Sequence, residues 1–295
     1  MSTPTKTNSL TAVFAMIGAT LCYLLGDTAV KLTSDTVPVP QIIAIRSLIT
    51  VLLIALAATA TGVIRSWPRM FSPPVLFRGG FDAATTLMFT HALANMRIAD
   101  ATAIINAAPI AATLMAVFIL KERAGGTRWA AIIVGFLGVL LVLQPDASGY
   151  NLYGFLAVGA MIFVAGRDVI TRRIASDIPS LIITLWSALA VTFFGAAMSL
   201  TTGKWEPLEL SELGLLSTAA VLLFGAYHFS VISLRLGEVS LVGPFRYVII
   251  IWGLVMGFVV WGDVPGLAAL AGMTLIALAG LAVVRREFTR GRQDR

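Results

Sequence analysis

Apolar residues fill this chain in ten long runs, at roughly 11–32, 40–62, 75–96, 98–120, 128–145, 151–173, 180–201, 213–235, 239–262 and 266–284. Short polar punctuation separates them: Val37-Pro38-Val39-Pro40, Ser72-Pro73-Pro74, Gly125-Gly126, Gln144-Pro145-Asp146 and Pro265-Gly266. The run from Ile98 to Leu120 holds 23 residues with one charge, Asp100, between Arg97 and Lys121-Glu122-Arg123. At about 1.5 Å rise per residue such a run covers roughly 30 Å, the hydrocarbon thickness of a bilayer. Within it Thr102, Asn106, Pro109 and Thr113 recur at spacings of four, three and four, so they share one helical face. A helix that met only lipid would have no use for that stripe. The pattern predicts an all-α integral membrane protein of ten transmembrane helices.

The runs also repeat. Advancing 141 residues carries Gly18-Ala19 onto Gly159-Ala160, Asp27 onto Asp168, Lys31 onto Arg172, Ala92-Leu93 onto Ser233-Leu234, and Glu122 onto Asp263. Charged residues are scarce, so these coincidences outweigh apolar ones. The chain reads as two copies of one five-helix unit, residues 11–145 and 151–286, followed by a basic tail at 287–295.

Composition agrees: 295 residues that are 58% hydrophobic and 12% charged cannot hide their apolar surface in one soluble core. The net charge of +6 does not point to nucleic acid, because the basic residues follow the helix ends without forming a patch. With the N-terminus in the cytoplasm, fifteen lysines and arginines fall inside, and three, Lys31, Arg97 and Lys204, fall outside. That bias puts both termini on the cytoplasmic side of the inner (plasma) membrane. Five helices per copy is an odd number, so the second copy enters the membrane upside down. Such inverted repeats are an arrangement that secondary transporters use for alternating access. The single cysteine, Cys22, excludes an intrachain disulfide and a cysteine metal cluster. The first apolar run is too long for a cleaved leader and is expected to be retained.

Charges inside the spans mark the candidate chemistry, since each is costly against lipid and should face a cavity or a partner. Arg46, Arg167, Arg246, Asp27, Asp82 and Asp168 qualify. Asp27 with Lys31, Asp168 with Arg172, and Arg78 with Asp82 are spaced four apart, as helical ion pairs are, and are expected to border an outer and an inner gate. Plain structural pairing near helix ends is the competing reading. Asp82 lies about 10 Å along its helix, with Thr85, Thr86 and Phe89 on one face, a place where a carboxylate can serve coupling or a static bridge to Arg78. His91 and His228 have no second ligand at metal spacing and no catalytic partner, so they are candidate cavity donors or core residues. Tyr23, Phe163, Trp186, Tyr227 and Tyr247, with Thr86, Thr102 and Asn106, complete the expected cavity lining. Pro109 and Pro244 should interrupt the fourth and ninth helices, while Gly135, Gly138, Gly253 and Gly257 should let neighbours approach closely.

The helix-one ending Gly26-Asp27-Thr28-Ala29-Val30-Lys31, Arg46, Pro109 and Leu120-Lys121-Glu122 together resemble the drug/metabolite transporter superfamily, and within it the EamA-like ten-helix exporters. Ser233-Leu234-Arg235-Leu236-Gly237, Pro244-Phe245 and Gly262-Asp263 extend the resemblance across the second copy. It implies a central cavity lined by helices one to four and six to nine, helices five and ten at the periphery, and export of small metabolites such as amino acids. Tyr23-Leu24-Leu25 stands where that family often carries tryptophan, and Asp263 where it carries glutamate. Export of drugs or organic anions is the alternative, and an intramembrane enzyme acting on lipid-linked substrates a more distant one. No cofactor or metal is expected. The partners expected are a small-molecule substrate, membrane lipid and a second copy of the chain.

Overall fold

The computed structural model describes residues 6–119, 125–144, 151–171, 173–175, 177–237 and 239–293. Glu122, Arg172 and the ends of the tail lie outside them, as do the side chains beyond Val284. The described residues form α1 (Lys6–Thr33), α2 (Val39–Ala60), α3 (Pro73–Asn95), α4 (Ile98–Ile105), α5 (Ala108–Ile119) and α6 (Gly126–Leu143). After these come α7 (Asn151–Thr171), α8 (Ser180–Thr202), α9 (Leu210–Leu236), α10 (Val239–Val242), α11 (Val248–Trp261) and α12 (Leu267–Gln293). Short 3-10 segments at Val63–Phe71 and Gly243–Tyr247 join α2 to α3 and α10 to α11. No strand occurs among the described residues.

Nine segments among the described residues are long and apolar enough to cross a bilayer. The expected tenth, the third in order, is α3: it has 23 residues, but Arg78, Asp82, His91 and its threonines lower its apolarity. Those groups need not meet lipid, because α3 packs along both α7 and α8.

Two expected helices are broken where prolines fall. Pro109 has no N–H to offer Ile105, so α4 closes at Asn106 and α5 restarts at Ala108. The Asn106 amide covers the break, its Nδ2 donating to the Thr102 carbonyl at 2.8 Å. Around Pro244 the ninth expected span becomes α10, a 3-10 turn and α11. The last expected span runs on, α12 continuing in helical form to Gln293 through most of the predicted tail.

Packing is by helix pairs. The most extensive are α1 with α9, α6 with α12, α2 with α8, and α3 with α7, followed by α3 with α8, α5 with α7 and α2 with α9. Small residues set the closest crossings. A Cβ on Gly138 would stand 2.8 Å from the Gly272 carbonyl oxygen, and one on Gly272 would stand 2.5 Å from that of Gly138. Gly253 meets the Ala99 backbone, so α11 lies against α4 with no side chain between them.

The two ends of the bundle are tied by different contacts. At one end Lys31 Nζ donates to the carbonyls of Leu93 at 2.9 Å and Met96 at 2.7 Å and lies 5.4 Å from the centre of the Trp261 ring. The Gln41 amide, at the same end, exchanges two hydrogen bonds with the Glu206 backbone, at 2.7 and 2.9 Å. At the other end Arg69 bridges to Asp177 at 2.9 Å, and Ser233 Oγ donates to the Ala12 carbonyl at 2.7 Å.

Gly272→Val should separate α6 from α12, because the obstructing atoms include the Gly138 carbonyl oxygen and the Val142 amide nitrogen, backbone atoms that cannot rotate away. A loss of about 1–3 kcal/mol is expected, read as a lower melting temperature in detergent, with Gly280→Ala also unfavourable because Tyr247 fills that position.

Candidate functional site

Near the middle of the bundle α2, α3, α7, α8 and α9 enclose a cavity of about 100 Å³. Helix α2 contributes Arg46, Ser47, Thr50 and Ile54, and α3 contributes Asp82, Thr85 and Thr86. Helix α8 adds Thr184, Ser187, Ala188 and Val191, α9 adds Leu223 and Tyr227, and α7 adds Arg167. The spacings within α2, α3, α8 and α9 are three and four, so each helix turns one face to the space.

The charges are arranged around Asp82. Its Oδ2 accepts from Arg78 at 2.9 Å within α3, and its Oδ1 accepts from Arg167 of α7 at 3.2 Å. Arg167 also bonds Asp168 Oδ1, its own neighbour, at 2.9 Å. Arg78 continues outward to Ser187 Oγ of α8 and to Thr171 Oγ1 of α7. One carboxylate therefore joins three helices, with the guanidinium forks supplying the geometry.

Arg46 is different. It makes no direct ion pair among the described residues, and its buried Nε has no hydrogen-bond partner. The opposing charge it feels is Asp27 of α1, beyond bonding reach. Hydroxyls surround it, most of them committed: Thr50, Thr86 and Thr184 donate to the carbonyls of Arg46, Asp82 and Ser180 on their own helices. Their oxygens keep lone pairs for a guest. Thr85, 8% exposed, has no partner at all for its Oγ1.

The expected site residues divide sharply. Arg46, Thr86 and Tyr227 line the cavity, and Tyr23 backs Tyr227 edge-on at a ring separation of 6.0 Å. Arg78 pairs with Asp82 at the expected spacing of four, and Arg167 joins that pair to Asp168 in one network, whereas Arg172, the expected partner of Asp168, lies outside the described residues. The remaining expectations are corrected. His91 Nδ1 bonds the Leu87 carbonyl one turn back, and Asn106 is spent on the helix break. Thr102 is buried against Gly253, Phe163 meets Phe81 edge-on, and Trp186 packs on Phe71 with its indole N–H directed to the Leu76 carbonyl. His228 is exposed beside Phe229, and Tyr247 is buried against Gly280 of α12. Arg246 is exposed and makes no ion pair among the described residues. Asp27 and Lys31 do not pair: the lysine instead caps the carbonyls that end α3, where the helix leaves acceptors unsatisfied and partial negative charge collects. Ser47, Thr50, Thr184 and Ser187 are cavity residues that the sequence reading passed over, although hydroxyls at helical spacing in apolar helices were their signal, and Thr85, read there only as sharing the face of Asp82, lines the cavity as well.

The profile of the EamA-like transporter family matches residues 10–144 and again 151–285. The chain belongs to that family. It is a multi-pass membrane transporter, not an enzyme. Among curated proteins it is similar to the pseudopaline exporter of Pseudomonas aeruginosa, 27% identical over 274 residues that cover 92% of this chain and 95% of that one. It is also similar to the riboflavin transporter of Vibrio cholerae, 26% identical over 65% of this chain and 64% of that protein. The S-adenosylmethionine uptake transporter of Rickettsia prowazekii is 24% identical over 68% of this chain and 67% of its own. A solved crystal structure superposes with a TM-score of 0.65 at 20% identity, covering 95% of this chain and 98% of that one, a likeness of fold.

The network makes a comparative prediction about the transporter. Asp82→Asn leaves two arginines facing a neutral amide, whereas Arg167→Gln leaves Asp82 still paired with Arg78 and Asp168 partly solvated. Asp82→Asn should therefore lower the melting temperature more than Arg167→Gln, with a coupling of about 0.5–3 kcal/mol in a double-mutant cycle.

Proposed function

We propose that the chain is a secondary transporter of the inner (plasma) membrane, with both termini cytoplasmic, that exports small metabolites, amino acids and related zwitterions foremost. It works by alternating access between two inverted five-helix repeats, α3 being the tenth span. The observation that carries this reading is the cavity itself: charged and hydroxyl-lined, at mid-depth, and built from helices of both matched segments. A zwitterion asks for a cation, for acceptors and for an apolar wall. Arg46, the hydroxyl oxygens, and Val191 with Leu223 offer all three.

Several features support the inverted arrangement. Exchanging the two matched segments maps the pairing of α1 with α9 onto that of α7 with α3, and leaves α2 with α8 and α6 with α12 unchanged. Both segments carry a helix break at nearly the same register: Asn106-Ala107 in the first, and in the second the 3-10 turn Gly243–Tyr247, whose last residue is the equivalent of Asn106 141 residues on. Broken helices at membrane depth are tolerated where protein or a cavity meets the freed backbone. The pseudopaline exporter, alike over nearly its whole length, supports the outward direction. The size of the cavity supports small cargo, since drug-sized ligands occupy pockets of roughly 300–1,000 Å³.

Proteoliposomes preloaded with unlabelled amino acids should accumulate the labelled compounds by counterflow above protein-free vesicles; no movement of any of them would remove the amino-acid assignment. Sidedness is checked separately, in a background carrying Cys22→Ala. Pro207→Cys should react with an impermeant maleimide on intact cells, and Ala175→Cys only after permeabilisation. Labelling of both from one side would remove α8 as a membrane crossing, and with it the five-span second repeat.

A further inference from the structure

The two matched segments are in register at 141 residues, and that register places most of the cavity wall in equivalent pairs. Arg46 corresponds to Ser187, Ser47 to Ala188, Thr50 to Val191, Asp82 to Leu223, and Thr86 to Tyr227. Both members of every pair line the cavity. The space therefore lies where equivalent surfaces of the two segments face one another. The chemistry of those surfaces is not equivalent. The first segment presents a guanidinium, a carboxylate and three hydroxyls, and the second presents serine, alanine, valine, leucine and a tyrosine ring.

We infer that the cargo is a small amphipathic carboxylate, bound with its carboxylate on Arg46 and Thr85 and its apolar end against Val191, Leu223 and the ring of Tyr227. The inference rests on the transporter reading and names the substrate class. Three observations carry it beyond the symmetry. Arg46 is the cation of the cavity with no direct ion pair among the described residues, and its buried Nε is unpartnered. Arg167, the other cation of the wall, is already held by Asp82 and Asp168. The Thr85 hydroxyl, buried and unpartnered, keeps its hydrogen free, whereas Thr50 and Thr86 have given theirs to backbone carbonyls. A carboxylate satisfies both orphans at once, accepting from the Arg46 guanidinium and from Thr85 Oγ. A cargo carrying only an ammonium could donate to Thr85 Oγ1 but offers Arg46 no acceptor, and it would add a second unpaired cation beside it. A cargo polar at both ends would strand one end against the valine and leucine wall.

The test uses the full chain purified in detergent, with binding read by ligand-induced thermal stabilisation. The probes are L-alanine, L-valine, L-leucine and L-phenylalanine, the aliphatic monocarboxylates from acetate to hexanoate, and the primary amide of each. Affinity of the wild type should rise along each acid series by about fourfold for each methylene buried. Each amide should bind at least about tenfold more weakly than its acid, the least expected for losing a charge-assisted hydrogen bond. Arg46→Gln should weaken the acids by at least the same factor while leaving the neutral amides of the monocarboxylates unchanged, and Arg46→Lys should restore part of the loss. Equal binding of acid and amide by the wild type overturns the inference, as does wild-type affinity for the acids in Arg46→Gln, a flat series, or no stabilisation by any carboxylate at millimolar concentration. Because the comparison of acid with amide is made on the wild type, it holds even where a variant folds poorly. Counterflow of a neutral or cationic compound that is unaffected by Arg46→Gln would overturn this substrate class while the transporter reading stood; absence of counterflow with every compound would count against that reading instead.

Discussion

A carboxylate inside an apolar bundle must be answered, and the answer given to Asp82 orders the rest of the site. An isolated charge at that depth carries a penalty of several kcal/mol, so the protein surrounds it with two guanidinium groups. Arg78 must then reach α8 through Ser187 and α7 through Thr171. Three helices are thereby fixed in register at one point, and the cavity is the space left above that knot. Its hydroxyls follow from the same constraint. Serine and threonine can sit in an apolar helix because each returns its hydrogen to its own backbone, leaving an acceptor that faces inward.

Duplication explains where the cavity lies, and divergence explains what it is. Two segments of like sequence place like residues on facing helices, so their shared boundary falls at the centre of the bundle. Had the copies remained identical, the wall would carry a second arginine at 187 and a second aspartate at 223. Serine and leucine stand there instead. The second arginine would have repelled Arg46 across a cavity of about 100 Å³, and the second aspartate would have needed its own pair of cations. At these two positions charge stands in the first segment alone, and Arg167 of the second is held by Asp82 and Asp168, which gives the space a more polar side and a more apolar side.

The organisation of the chain was legible in the sequence because charges and prolines are scarce and their chemistry is rigid. Asp27, Asp168, Lys31 and Glu122 disclosed the repeat, and Pro109 and Pro244 disclosed both broken helices, since no context restores a missing N–H. The members of the inner network were legible for the same reason. Their partners were less so. Spacing of four paired Asp27 with Lys31, but a lysine side chain is long, and the carbonyls ending α3 were within its reach. The aromatic residues were the least legible. Phe163, Trp186 and Tyr247 have apolar rings that serve equally well against Phe81, Phe71 or Gly280, and only the rotation of each helix, which neighbours decide, turns a ring toward or away from a cavity. Thr85 and Thr50 were visible as hydroxyls at helical spacing, yet their neighbours on α8 and α9 were not.

The pairing around Asp82 also bears on how a bundle of this kind moves. The Arg167–Asp82 bond runs from α7 to α3 and so joins the two matched segments, and any rocking of one against the other parts it. Breaking a buried pair ordinarily costs about 3–5 kcal/mol because an uncompensated charge remains. Here neither ion is stranded. Asp82 keeps Arg78 on its own helix, and Arg167 keeps Asp168 beside it. The two local pairs travel with their helices, while the one ion pair between segments is the longest of the three at 3.2 Å. Ion pairing is redundant within each half and single between them, and the other bonds of the network across the segments, from Arg78 to Ser187 and to Thr171, are each made to a hydroxyl, so parting the halves leaves every charged group of the network with a counter-ion.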